Sequence, residues 1–273
     1  MRVEVLSDHG GEQLDRTRIR LEAAAAAAAQ WEEVRRQADA DRHNARRRKP
    51  LWKRVFAVST PDERAARAAE LQAEGQTVRA HHEWHSANRQ AQQQAAGNLG
   101  EDRVASALSA LPDEWTLLRG YRNRRGETDG VLVGPHGIWA IEAKFRNVHL
   151  HVDGEHWWYD KYDRYGNVVE RASAVDGGGR TWAEQVNAVA GDLRQWLRRN
   201  HVEAPVRTAV VLTHDRSVIA HCVRPTVDLV TNDPTHLLAA IQDDRIRLSE
   251  AVRSRAVQLI LRDHRHHEKR RSS

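Results

Sequence analysis

The chain has 273 residues, 30% of them charged, with a mean hydropathy of −0.73 and a net charge of +5. No apolar run approaches the roughly 18–20 residues that cross a bilayer, residues 1–10 lack a signal-peptide pattern, and one cysteine, Cys222, excludes an internal disulfide or a cysteine zinc site, so a soluble cytoplasmic protein with no membrane span is expected. Residues 1–96 hold 17 basic and 14 acidic side chains, residues 97–244 hold 17 and 21, and residues 245–273 hold 9 and 3, an acidic centre between basic ends that suits a central divalent cation and a peripheral polyanion.

Residues 16–40 read as a helix around the alanine run 23–29, which suits one arm of a long helix or a loose coiled pair. Residues 42–54 carry 7 Lys or Arg and no acid. Thr60 with Pro61 is an N-cap followed by a first-turn proline. The second helix is expected to end at Gly75, and a third, polar helix to lead through the glutamines at 90–94 towards Gly97. From Gly97 the texture changes. Residues 97–110 form an amphipathic helix, and residues 115–121, 127–133 and 137–145 form strands. Gly134-Pro135-His136-Gly137 is the turn between the last two. Hairpins are expected around Asp153-Gly154 and Tyr165-Gly166-Asn167, a flexible loop at 176–179, and a strong helix at 181–199. Strands at 206–213 and 227–231 and helices at 234–241 and 248–261 follow, and the basic, histidine-rich tail 263–273 reads as disordered. The division expected is a helical, Ala-rich and basic segment 1–96, an α/β domain 97–262 with its core at 97–200, and the tail.

Residues 127–144 read ETDGVLVGPHGIWAIEAK. Alternation puts Ile138, Ala140, Glu142 and Lys144 on one face of the second strand and Trp139, Ile141, Ala143 and Phe145 on the other. Both faces are apolar, and a carboxylate and an ammonium in such a strand cost several kcal/mol unless paired or metal-bound. Phosphodiester hydrolysis supplies a reason. Asp129 and Glu142 can hold Mg²⁺ (or Mn²⁺) against a phosphate oxygen, and Lys144 lies beside the water that the metal activates. Glu101 shares a helical face with Val104, Leu108 and Leu111, which suits a metal ligand, direct or through water. Gln185 lies on or beside the stripe Trp182, Val186, Val189, Leu193 and Trp196, within reach of the lysine, the water or a phosphate. Glu127 points to the same face as Asp129, so a substitute or second-metal ligand is one reading of it, but it reads first as a surface acid near Arg124 and Arg125.

The runs Gly97-Asn98-Leu99-Gly100-Glu101, Glu127-Thr128-Asp129, Ile141-Glu142-Ala143-Lys144 and the later Gln185 resemble the nuclease-related domain family, NERD, of the PD-(D/E)XK, restriction-endonuclease-like superfamily. The resemblance covers roughly the middle 100 residues. It implies a restriction-endonuclease-like core, with a central mixed β-sheet flanked by helices, and Mg²⁺-dependent DNA cleavage. It assigns the family's acidic helix residue to Glu101, its strand acid to Asp129, its second acid and lysine to Glu142 and Lys144, and its helix glutamine to Gln185. Thr128 departs from the pattern, because the family usually has an aliphatic residue there. The function expected is that of a Mg²⁺-dependent endodeoxyribonuclease. The rivals are a catalytically weak nucleic-acid-binding module and an oligomeric scaffold built on the N-terminal helices.

Arg46, Arg47, Arg48, Lys49, Trp52, Lys53 and Arg54 combine charge with an aromatic ring, a pattern that tracks a nucleic-acid backbone; a membrane surface or a solvated linker are the other readings. Gly177-Gly178-Gly179 beside Arg180 could bring backbone amides near a phosphate. His81 and His85, four apart, have no third ligand and read as a solvated helix face. Trp157, Trp158 and Tyr159 read as packing before stacking.

Overall fold

The computed structural model describes residues 1–50, 59–242 and 247–272, so Trp52, Lys53 and Arg54 lie outside the described residues. Contacts divide the chain into two units, residues 11–95 and residues 1–10 with 96–273.

Helices α1 (His9–Arg47) and α2 (Pro61–Leu108) supply the first unit. Its two arms run antiparallel. The Thr77 hydroxyl donates to the Trp31 carbonyl at 3.1 Å, His81 meets Glu32 at 2.9 Å, and Lys49 meets Glu63 at 3.0 Å. Ala28, Ala38, Ala73 and Ala80 are buried; with only a methyl to bury, alanine allows close approach but removes little area from water. Thr60 caps α2, accepting from the Glu63 amide at 3.2 Å while the Glu63 carboxylate accepts from the Thr60 amide at 3.0 Å. Neither Gly75 nor Gly97 ends this helix. A glycine inside a helix costs about 1 kcal/mol, and the hydrogen-bonded turns on either side of Gly75, buried through Ala73, Thr77 and Ala80, outweigh it.

The second unit is built on a six-stranded mixed sheet in the order β1-β2-β3-β4-β8-β10. Its strands are β1 (Arg2–Val5), β2 (Thr116–Asn123), β3 (Gly126–Gly134), β4 (Gly137–Lys144), β8 (Val206–Leu212) and β10 (Leu229–Thr231). The meander β2-β3-β4 is antiparallel, and β1, β8 and β10 join in parallel. A four-stranded sheet follows the order β7-β6-β5-β9, from β5 (His149–Asp153), β6 (His156–Tyr162), β7 (Val168–Ser173) and β9 (Val218–Val223). The helices are α3 (Trp182–Arg199), α4 (Pro234–Gln242) and α5 (Glu250–Ser272). A Thr181–Glu184 capping box starts α3.

β4 sits between β3 and β8, and its alternation divides the core as its sequence suggests. Ile138 and Ala140 join Trp182, Val186 and Leu193 of α3 and Leu259 and Ile260 of α5. Trp139 and Ile141 join Val104 and Leu108 of α2 and Leu237 and Ile241 of α4. Trp196 is only partly buried and donates its indole N–H to the Leu259 carbonyl at 3.0 Å. Trp157 and Tyr159 are buried in the first cluster, while Trp158 lies on the other face of β6 and stacks on His151.

Three further elements differ from expectation. Strands β1 and β9 carry no sequence signal because most of their residues are exposed, so no period-2 pattern of burial forms. The first ten residues therefore belong with the sheet and not with the helical segment. The tail is not disordered: α5 continues through it to Ser272, and Asp263 and His264 are buried. The Tyr121 hydroxyl donates to Asp263 Oδ2 at 2.6 Å, and the Arg122 amide donates to His264 Nδ1 at 3.2 Å. Polar side chains that look solvated in the sequence are paired across the fold.

Candidate active site

The site begins where two strands stop pairing. The β3–β4 ladder runs from Gly134↔Gly137 to Gly130↔Ile141. Beyond it, side chains of β3 replace its backbone: the Ala143 amide donates to Asp129 Oδ2 at 2.6 Å, and the Thr128 hydroxyl donates to the Ile141 carbonyl at 2.8 Å. β2 bends alongside at Gly120, whose φ of +68° favours glycine. A Cβ there would also stand 2.4 Å from the Ser7 carbonyl oxygen. Asp129 lines a small cleft with Glu101, Val104, Leu117 and Arg119.

Glu142 is 1% exposed. Its Oε1 accepts from Lys144 Nζ at 2.6 Å, and its Oε2 lies 3.4 Å from the Thr128 hydroxyl. One hydroxyl proton serves the shorter bond to Ile141 first, so the longer contact mainly sets position. Lys144 is 19% exposed, with its ammonium 6.0 Å from the Trp182 ring centroid. Glu101 is held from α2, which approaches closely because residue 100 is glycine; a Cβ there would lie 2.9 Å from Thr213 Oγ1 and 3.1 Å from Phe145 Cβ. Arg119 Nη2 stands 3.6 Å from Glu101 and 2.8 Å from Asp102.

Burial dominates the electrostatics. It pushes Glu142 up to about 7, with repulsion from Asp129 adding and Lys144 opposing. It pushes Glu101 up to about 8, with Asp129 adding and Arg119 opposing. Asp129 also rises, through burial, against the pull of Lys144 and the Ala143 amide. For Lys144 burial acts downward, but Glu142 and Asp129 outweigh it and raise the ammonium further.

These shifts have a sign that can be checked. Glu101 and Glu142 bind a proton more tightly folded than at their ordinary 4.5, so the folded chain holds extra protons above that pH. The resulting stability is complete below about pH 4.5 and is lost as pH rises towards 8. In EDTA, Glu101→Gln is therefore expected to gain melting temperature on the wild type steadily from pH 5 to pH 8. A difference that stays constant with pH would contradict this.

Glu142 pairs with Lys144, Asp129 lines one cleft with Glu101, and Asp129 is near enough to both glutamates to raise them. Gln185 reaches the start of β3: its Nε2 lies 3.5 Å from the Glu127 carbonyl, and its Oε1 is buried with no hydrogen-bond partner among the described residues. Glu127 is not a ligand candidate. It pairs with Arg122, not Arg124 or Arg125, and accepts from Ser7 at 3.2 Å. Arg180 does not present a phosphate-binding loop. The amides of Gly178 and Arg180 donate to Asp176 Oδ1 at 2.8 and 3.0 Å, and the guanidinium of Arg180 contacts Asp176 and the Arg125 carbonyl. A carboxylate of the chain takes the place an anion would need.

Arg46, Arg47, Arg48 and Lys49 belong to the helical unit. Arg119 and the Thr128 hydroxyl are site groups that the motif does not reveal, because no spacing rule ties them to Asp129 or Glu142. Among the described residues no three His, Cys, Asp or Glu side chains stand close enough to hold a metal ion, so the geometry does not present Glu101 as a third direct ligand. None of the described helices is long and apolar enough to cross a membrane.

Residues 96–213 match the family model of NERD, the nuclease-related domain. Neither the curated proteins nor the solved structures contain a match.

Proposed function

From a chain that carries a nuclease-related domain of the NERD family, we propose a metal-dependent nuclease that hydrolyses DNA phosphodiester bonds at Asp129, Glu142 and Lys144. The observation that carries the reading is the meeting of one buried and one half-buried carboxylate with an ammonium where the β3–β4 ladder ends. Two negative charges share one positive charge there, and the excess in a poorly hydrated setting favours a cation. Mg²⁺ keeps several waters and needs only one or two carboxylates plus substrate phosphates, so Asp129 and Glu142 fit it without Glu101. When bound, Mg²⁺ or Mn²⁺ supplies Lewis-acid polarisation of the phosphate and a water of lowered pKa.

The residues divide the remaining work. Lys144 stays cationic, because Glu142 and Asp129 raise its pKa, so it stabilises negative charge and orients water and is not a general base. Glu101, partnered by Arg119, acts on this site through water. The unpartnered Gln185 oxygen is an acceptor for water or for an ammonium. Labelled linear, nicked and branched DNA, with and without Mg²⁺ or Mn²⁺, tests the reading. Cleavage that needs metal and disappears in Glu142→Ala supports it. Metal-independent binding with no cleavage leaves the catalytically weak binding module as the better account.

Thr128 acts on the metal-holding carboxylate by position. Thr128→Val keeps the shape and loses the hydroxyl, so Mn²⁺ affinity, read by electron paramagnetic resonance on the metal itself, is expected to fall about 3- to 10-fold, equivalent to about one neutral hydrogen bond. Thr128→Ser should restore it. Equal Mn²⁺ affinity in all three proteins would remove Thr128 from the site.

A further inference from the structure

α3 and α5 are joined where the Trp196 indole N–H donates to the Leu259 carbonyl. Beside this joint open two clefts that share Arg262 and His266. Arg199 enters them from the last turn of α3, Arg124 from the turn after β2, and Arg255, Arg262 and Arg265 from α5. Arg255 and Arg262 are seven apart and Arg262 and Arg265 three apart, so α5 presents all three on one face. All five arginines are exposed.

Only Arg124 among them meets a carboxylate, Asp192 at 2.6 Å. Asp263, the other acid on these walls, accepts from the Tyr121 hydroxyl at 2.6 Å and faces His267 at 3.5 Å. Five arginines against two carboxylates leave three positive charges, without Lys269, which has partners of its own. Neutral groups hold Arg262: it donates to Asn200 Oδ1 at 3.0 Å and stands 4.9 Å from the Trp196 ring centroid. Arg265 donates to the Leu261 carbonyl at 3.1 Å. Arg199 and Arg255 pair with no carboxylate among the described residues. An ion pair discharges an arginine, whereas an amide, a carbonyl or a ring orients it and leaves its charge in place. Such a cluster raises the local concentration of anions, and guanidinium groups match phosphate oxygens in bidentate fashion.

We propose that the α3–α5 joint binds the phosphate backbone of duplex DNA, so that the nuclease-related unit grips its substrate at a second place, away from Glu142 and Lys144. The choice of DNA rests on the nuclease reading. α3 starts at Trp182, beside Lys144, and ends at Arg199. From Gln185 to Arg199 the helix rises about 21 Å, or about six base pairs, so one duplex of about 20 base pairs is long enough to reach both places. An anionic membrane is the competing partner, but such surfaces insert apolar side chains. Here the apolar lining turns inward: Leu259 is buried, and the Trp196 ring lies under Arg262. Binding at the joint is sequence-independent and weakens steeply with salt, because each neutralised phosphate releases counterions.

The test uses the full chain in EDTA and a fluorescent 20-base-pair duplex, with anisotropy read from about 50 to 200 mM NaCl. The combined Arg199→Ala, Arg255→Ala and Arg265→Ala variant leaves Arg262 and its contacts in place. It is expected to bind roughly 10- to 100-fold more weakly at 100 mM NaCl, and its salt slope to shrink by roughly 2–3. The same three positions changed to Lys should keep the slope, and helical circular dichroism should stay unchanged in both variants. An unchanged Kd and slope in the Ala variant would overturn the proposal. So would phosphatidylserine vesicles that bind with this residue dependence while the duplex does not bind. Cleavage in Mg²⁺ separates the two readings. Binding that depends on the three arginines without cleavage keeps the joint and removes the nuclease, and metal-dependent cleavage with binding indifferent to them does the reverse.

Discussion

Glu142→Ala and Lys144→Ala are each expected to lower metal-dependent DNA cleavage by roughly 10²- to 10³-fold or more, equivalent to about 3–4 kcal/mol of transition-state stabilisation. Glu142 is 1% exposed, so water cannot take the place of its carboxylate without opening the core. Lys144 lies 2.6 Å from it and 6.0 Å from the Trp182 ring centroid. Removing one partner of a buried pair also costs about 3–5 kcal/mol of stability, so a melting temperature must accompany each rate. Glu142→Gln, which keeps the shape, separates lost chemistry from lost folding. Single-turnover rates on labelled DNA in Mg²⁺ are the measurement, and duplex affinity in EDTA should stay within about 3-fold. Variants that keep a tenth or more of the wild-type rate would show that the chemistry lies elsewhere.

Truncation after Arg262 should be nearly as damaging to stability. The residues removed include Asp263, which accepts from the buried Tyr121 hydroxyl at 2.6 Å. They include His264, which takes the Arg122 amide on Nδ1 and, in the tautomer this requires, donates from Nε2 to the Leu6 carbonyl at 3.2 Å. They also include Glu268, 3.5 Å from Arg122. A buried polar group stripped of its partner costs about 1–3 kcal/mol, and at least the Tyr121 hydroxyl and the Arg122 amide lose theirs. The expected total is about 3–5 kcal/mol, or roughly 6–20 °C in melting temperature for a unit of this size. A solvated tail would give no change, so the thermal melt of the truncated chain decides between the two accounts. The single variant Tyr121→Phe should cost much less, because it removes donor and contact together.

The hairpin that carries Asp129 and Glu142 was legible because its determinants are local. Alternation in GIWAIEAK assigns each side chain of β4 to a face, and Gly134-Pro135-His136-Gly137 turns the chain back to bring Asp129 alongside Glu142. The same holds for α3, where the capping box and the 3.6-residue stripe lie in adjacent residues. The basic joint was hidden, because its arginines arrive from α3, α5 and the turn after β2. Only the tertiary structure decided how the sheet ends, tail and site lock together. β1 and β9 are held by ladder partners distant in sequence and carry no burial pattern of their own. Asp263 and His264 look like a polar tail because their partners, Tyr121 and Arg122, stand 142 residues away. The end of the β3–β4 ladder beside Asp129, the cleft that Asp129 shares with Glu101, and the threonine hydroxyl beside Glu142 all depend on residues distant in sequence. Local periodicity is written in neighbouring residues; the pairing of buried polar groups is written only in the folded chain.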